Sequence, residues 1–242
     1  MTELVLDIGN QRIKAGIFQN DSLETVEVFP VGDVKEILNL GDRYSPESVI
    51  MSSTSVLEQE MAKAWKGLSN VMVLDHTLPL PIRNDYATPK TLGKDRLAGA
   101  VAAAGQFPGE PVLVVDAGTC ITFDLVDPEG AFKGGYITPG LRMRFQAMHA
   151  FTARLPEVEP AQSIHLYGKT TEDAMRSGTT AGFVEEVKGL IRRFRRSFPG
   201  LRVILTGGDG FFLSKQLKSE IFVEPNLVLE GLHRILRFNL SL

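Results

Sequence analysis

The chain has one cysteine, Cys120, in 242 residues. An intrachain disulfide is excluded, and Cys120 reads as a small apolar residue beside a strand with no chemistry assigned to it. Nowhere does the sequence approach the roughly 18 to 20 consecutive apolar residues that a membrane-spanning helix needs. The N-terminus also lacks the basic segment and apolar stretch of a secretory signal. The expected location is therefore the cytoplasm, with no membrane partner. Net charge is small, −3, so nothing draws the whole molecule toward nucleic acid or an anionic surface. Any polyanion site has to be local, and small ligands suit this balance better than polymers.

Apolar residues make up 43% of the sequence and charged residues 23%. These proportions belong to a folded globular chain, long enough for one large domain or two smaller ones. Two is favoured by a duplication. Leu4-Val5-Leu6-Asp7-Ile8-Gly9-Asn10 and Val112-Leu113-Val114-Val115-Asp116-Ala117-Gly118-Thr119 are both unbroken apolar runs ending in an aspartate and a glycine-bearing turn. Such runs read as strands buried on both faces in an α/β sheet. Each is followed by a returning strand, Arg12 to Phe18 in the first copy and Ile121 to Val126 in the second.

Between the copies the pattern predicts a third strand over 23–29, a helix over 34–40, a strand over 48–51, a helix over 57–67 and a strand over 71–74. Pro79, Pro81 and Pro89 then disfavour helix interior and central strand over 78–90. The expected joint lies there, giving an N-terminal half 1–90 and a C-terminal half 91–242. The alanine-rich stretch 97–105 predicts a closely packed helix, and Gly134 to Gly140 reads as a tight turn before a helix over 142–149. Apolar spacing from Phe183 to Phe198 predicts another helix. Arg192, Arg193, Arg195 and Arg196 lie on or near its other side and read as a solvated face. Val203-Ile204-Leu205 runs as a strand into Thr206-Gly207-Gly208-Asp209, and a last helix is expected over 227–236.

Three glycine-bearing strand ends describe a nucleotide site, since open α/β sheets bind ligands beyond the carboxyl ends of their strands. The pattern resembles the actin-like ATPase and sugar-kinase superfamily, which implies two related actin-like or ribonuclease H-like α/β halves with a nucleotide cleft between them. Asp7 and Asp116 suit hydrated Mg2+ bound with ATP. Lys14 on the first hairpin suits a phosphate. An acceptor hydroxyl needs a carboxylate to take its proton, and Asp95, between Lys94 and Arg96 at a predicted helix start, is the candidate.

A sharper likeness runs through Tyr86-Ala87-Thr88-Pro89-Lys90-Thr91-Leu92-Gly93-Lys94-Asp95-Arg96-Leu97, which resembles the signature of type III pantothenate kinases. The two acidic loops, Gly134-Gly135 with Pro139-Gly140, Thr171 through Gly178, and Thr206-Gly207-Gly208 follow in that family's order, so the resemblance covers nearly the whole chain. It implies ATP-dependent phosphorylation of pantothenate, the first committed step toward coenzyme A. By the same likeness Asp95 is the general base. Asp7, Ile8, Gly9, Asn10, Gln11, Arg12, Ile13, Lys14 and Thr119 match ATP positions. Tyr86, Gly93, Lys94, Asp95, Arg96 and Thr171 match substrate positions. Asp116 matches a monovalent-cation site for K+ or NH4+, and a homodimer is implied. The chain departs from the family where the first loop usually continues Asn-Thr and here has Asn10-Gln11.

Two alternatives stay open from the residues alone. One is a kinase acting on another small hydroxylated acceptor, because fold does not specify the acceptor. The other is a catalytically weak, nucleotide-binding regulatory homologue, for which Gln11 is the main support.

Overall fold

The structure is a computed structural model that describes residues 1–9, 12–53, 65, 68, 70–160, 165–217 and 220–242. The expected helix over 57–67 lies, apart from Trp65, outside the described residues. The chain forms two compact units, one comprising 1–106, 130–132 and 226–242, the other 107–129 and 133–225. These units differ from a single cut after residue 90. The helix that follows the proline-rich segment and the C-terminal helix both pack with the N-terminal sheet.

In the first unit, β1 (Thr2–Ile8), β2 (Arg12–Gln19) and β3 (Ser22–Pro30) form an antiparallel meander. After α1 (Val34–Tyr44), β4 (Ser48–Ser53) and β5 (Asn70–Val73) add parallel strands on the other side of β1, giving the order β3-β2-β1-β4-β5. Successive side chains of a strand point to opposite faces. Leu4, Leu6 and Ile8 accordingly enter one core with Ile37 and Leu40 of α1, while Val5 enters another. A strand with helices on both faces has no polar side, which explains the lack of alternation in β1.

The second core is built on α2 (Lys94–Gln106) and α6 (Leu227–Leu240), the last helix of the chain. Val5, Phe18 and Ile50 from the sheet meet Ala98 and Val101 of α2 and Leu229, Leu232, Ile235 and Leu236 of α6. The two helices touch backbone to backbone: a Cβ added at Gly231 would lie 1.8 Å from the Ala98 carbonyl oxygen. The alanine run thus serves close helix approach and holds both helices on the first sheet. Glu3 closes the same layer, its buried carboxylate 2.6 Å from His233 Nε2 and 3.2 Å from Arg237.

The segment from 75 to 93 is mostly irregular, with only the two-residue β6 (Arg83–Asn84) and a single 3-10 turn at Pro89–Thr91. β6 pairs with Ala131 and Phe132.

The second unit repeats the first one's sheet. β7 (Val112–Ala117), β8 (Cys120–Val126) and β9 (Ala131–Pro139, whose first two residues belong to the first unit) are successive neighbours, and β10 (Arg202–Thr206) and β11 (Phe222–Val223) run parallel to β7 on its other side. The order β9-β8-β7-β10-β11 matches β3-β2-β1-β4-β5 strand for strand. Its core gathers Leu113, Val115, Phe123 and Leu205 with residues of α3 (Leu141–Ala150), α4 (Thr171–Ser197) and α5 (Gly210–Leu217).

Two expectations are corrected here. Gly134 to Pro139 is the continuation of β9, not a tight turn. Its glycines serve strand contact: Gly134 takes φ +97°, and a Cβ at Gly135 would fall 1.6 Å from the Phe123 carbonyl oxygen of β8. The helix expected from Phe183 begins twelve residues earlier, because Thr170 caps it by accepting a hydrogen bond from Asp173 N–H at 3.1 Å.

Candidate active site

In the first unit, Asp7 is carried to the carboxyl end of β1, opposite Lys14 on β2 and Ser52 on β4. The Ser52 hydroxyl donates to Asp7 Oδ1 at 3.3 Å. Burial, and secondarily the negative charge of Asp95, push the Asp7 carboxyl up to about 6; Lys14, the Ser52 hydrogen bond and Arg12 offset part of the rise. Thus Arg12, Lys14 and Asp95, the last 88 positions away in sequence, all act on Asp7 within one unit. Between β1 and β2, Gly9 N–H donates to the Arg12 carbonyl at 3.1 Å. Ile8 and Ile13 pair across the two strands and are both buried in the core, so only their backbones are available to a ligand. Asn10 and Gln11 lie outside the described residues.

Asp95 stands exposed in the first turn of α2, where its Oδ1 accepts the Arg96 N–H at 2.8 Å. Gly93 makes this geometry possible: a Cβ there would lie 2.5 Å from Asp95 Oδ1 and 3.4 Å from Arg96 Cδ. Arg96 is 8% exposed, and its guanidinium lies 5.6 Å from the Tyr86 ring centre and 5.8 Å from that of Phe132. The two rings are 5.8 Å apart and tilted. A planar guanidinium held against aromatic faces keeps its charge and its orientation, a suitable receptor for a carboxylate. Lys94 flanks Asp95 and is half-buried.

In the second unit, Asp116 ends β7 as Asp7 ends β1, opposite Thr122 of β8 and Thr206 of β10. Its surroundings are glycine and backbone. A Cβ at Gly207, which takes φ +84°, would lie 2.4 Å from Asp116 Oδ1. A Cβ at Gly140 would meet the carbonyl oxygens of Gly118 and Thr119 at 2.3 and 2.5 Å. Three loops therefore converge on one small oxygen-rich place, with Gly140 N–H donating to the Thr119 carbonyl at 3.1 Å and Asp209 N–H to the Ala117 carbonyl at 3.0 Å. Burial raises the Asp209 carboxyl, and the Arg142 charge partly offsets that. Carboxylate and carbonyl oxygens around a turn are the donor set of a hard cation. Thr119 is exposed beside this place, and Thr171 is exposed as the first residue of α4.

The sequence reading did not single out Ser52, Phe132 or Asp209 as site residues. Ser52 could have been found from the strand-end rule, since it directly follows the strand expected over 48–51. Phe132 carried no such signal, because its role depends on pairing across 48 positions with Asn84.

Among the described residues, no helix is long and apolar enough to cross a membrane. The fold is that of solved two-domain sugar kinases and their relatives. A Thermus thermophilus ROK hexokinase matches 100% of this chain and 99% of its own at TM-score 0.52 and 12% identity. A Baf family protein from Campylobacter jejuni matches 99% of this chain and 100% of its own at TM-score 0.66 and 22% identity. A type III pantothenate kinase from Christiangramia forsetii is 44% identical over 98% of both chains. The family model for type III pantothenate kinase matches residues 3–193. The chain belongs to the type III pantothenate kinase family.

Proposed function

We propose that the protein transfers the γ-phosphoryl group of ATP to the hydroxyl of pantothenate, opening coenzyme A synthesis, with Asp95 as general base. One observation carries this reading: at the start of α2 the Asp95 carboxylate accepts the Arg96 N–H, the Arg96 guanidinium is backed by the Tyr86 and Phe132 rings, and Asp7 is close enough to feel the Asp95 charge.

Arg96 receives the pantothenate carboxylate through paired N–H donors, with Tyr86 and Phe132 fixing the guanidinium plane. Gly93 and Lys94 shape the same turn, and the family resemblance assigns Thr171 to the acceptor as well. The hydroxyl is thereby presented to Asp95, whose anchored Oδ1 sets the direction of its other oxygen. Asp95 accepts the hydroxyl proton while the hydroxyl oxygen bonds to the γ-phosphorus and the bond to the ADP oxygen breaks. Lys14 suits a phosphate, and the family resemblance assigns residues 7 to 14 and Thr119 to ATP.

The donor chemistry of Asp7 fits a hydrated divalent ion, because a largely buried carboxylate repelled by a second one gains most from a cation. Magnesium, when bound with ATP, neutralises phosphate oxygens. Asp116, with the backbone oxygens of the second loop beside it, is assigned to K+ or NH4+. A cytoplasmic homodimer completes the reading, supported by the family resemblance.

The test is ADP formation from magnesium-ATP with and without pantothenate, in potassium and in sodium, with product identified by mass. Pantothenate-dependent ADP and a phosphopantothenate mass are expected, with faster turnover in potassium. Nucleotide binding with no phosphorylated product in either salt would overturn the assignment.

A further inference from the structure

The arginine run near the end of α4 acquires a different meaning once the fold is known. Lys188, Arg192, Arg195 and Arg196 follow one another at helical spacing along a single stripe, and together with Ile191 and Leu217 they line a cavity of about 380 Å³ in the second unit. Ile191 and Leu217 are buried parts of the core and form an apolar floor beneath the charges.

Elsewhere on α4 basic groups are matched by acids. Arg176 pairs with Glu172 at 3.0 Å, Glu186 receives Arg144 at 2.9 Å, and Lys188 itself reaches Glu185 at 2.8 Å. Over the last two turns the matching stops. Among the described residues Arg195 donates to a carbonyl, that of Glu220, at 2.9 Å. Arg192 and Arg196 have no ion-pair or hydrogen-bond partner among the described residues. The C-terminal end of a helix favours cations and explains one or two of them. It does not explain like charges four apart beside a cavity, which repel.

We infer that this cavity is a binding site for a small organic phosphate carrying at least two phosphoryl groups, held by Arg192 and Arg196 with Lys188 and Arg195 beside them, and its apolar part over Ile191 and Leu217. Guanidinium forks match phosphate oxygens in pairs. The stripe spans only about two helical turns, and the chain's net charge is −3, so a compact anion suits it better than a nucleic acid polymer.

The probe is inorganic tripolyphosphate, titrated by calorimetry into the full-length protein in magnesium-free buffer at low and moderate salt. Single-site binding that weakens with salt is expected. R192E/R196E should weaken it at least tenfold and R192Q/R196Q by less, with both variants keeping the wild-type circular dichroism and melting profile. Turnover at saturating substrates should be unchanged by either variant in the absence of the probe. Should the charge-reversed variant lose its fold, the glutamine variant decides on the same readout. Binding lost in K14Q and retained in R192Q/R196Q would overturn the inference by placing the anion on the first hairpin. A short single-stranded oligonucleotide binding more tightly than tripolyphosphate through the same arginines would overturn it in favour of nucleic acid.

Discussion

Asp7 and Asp116 stand at equivalent ends of equivalent central strands, each beside a hydroxyl-bearing residue on the next parallel strand, Ser52 in one case and Thr206 in the other. Their neighbours diverge. Asp7 is set among charges: Arg12 and Lys14 on its hairpin and Asp95 on α2. Asp116 is set among glycines and carbonyls, with Gly207 leaving no room for a Cβ beside it. A duplicated topology therefore delivers two carboxylates to the same kind of place, and the loops decide what each one handles. The charged setting suits phosphate with a divalent ion, and the oxygen-rich setting is the one proposed for a monovalent ion.

The largest effect separates the base from both aspartates. Asp95→Asn should lower turnover by roughly 10²- to 10⁴-fold, the usual contribution of a general base, while nucleotide affinity stays close to wild type in an equilibrium titration. Asp7→Asn sharpens the first loop's character in two opposed directions. Magnesium-ATP affinity should fall at least tenfold, yet the unliganded protein should become more stable, by roughly 2–3 kcal/mol above pH 6. The sign follows from the raised carboxyl: the folded state holds its proton more tightly than the unfolded chain, so the charged form costs stability. That cost is fully present above about pH 6 and is absent below the ordinary carboxylate value of 3.8. Denaturant unfolding of both proteins across pH 3.5 to 8 should show the stability difference shrinking as pH falls.

Gly207→Ala probes the second loop alone. A side chain at φ +84° that also meets Asp116 should cost about 1–3 kcal/mol and blunt the response to potassium, while leaving affinity for the pantothenate carboxylate unchanged. Arg96→Lys removes the planar fork and its aromatic stacking, and KM for pantothenate should rise roughly tenfold with a smaller change in kcat. Smallest is Ser52→Ala. Loss of its hydrogen bond should move the pH midpoint of magnesium-ATP binding upward, because that bond favours the ionised Asp7.

Much of this was legible in sequence for physical reasons. A strand buried on both faces has to be apolar along its length, so β1 and β7 announced themselves, and the aspartates ending them followed. The alanine run of α2 signalled close packing, which Gly231 of α6 completes. What escaped reading depended on contacts distant in the chain. Neither the packing of α6 on the first sheet nor the seating of Arg96 on Phe132 leaves a local signature. Gly134-Gly135 misled because glycine pairs serve tight turns and close strand contacts equally well. The arginines of α4 read as a solvated face until Leu217, from another helix, joined Ile191 in lining a cavity beside them.

The most direct test of the division between the two loops is a potassium titration of kcat/KM at fixed magnesium-ATP for wild type, Asp7→Asn and Asp116→Asn. The account predicts that Asp116→Asn loses the potassium response, and that Asp7→Asn keeps it at a reduced rate that more magnesium-ATP partly restores. Equal loss of the potassium response in both variants, or its survival in Asp116→Asn, would contradict it.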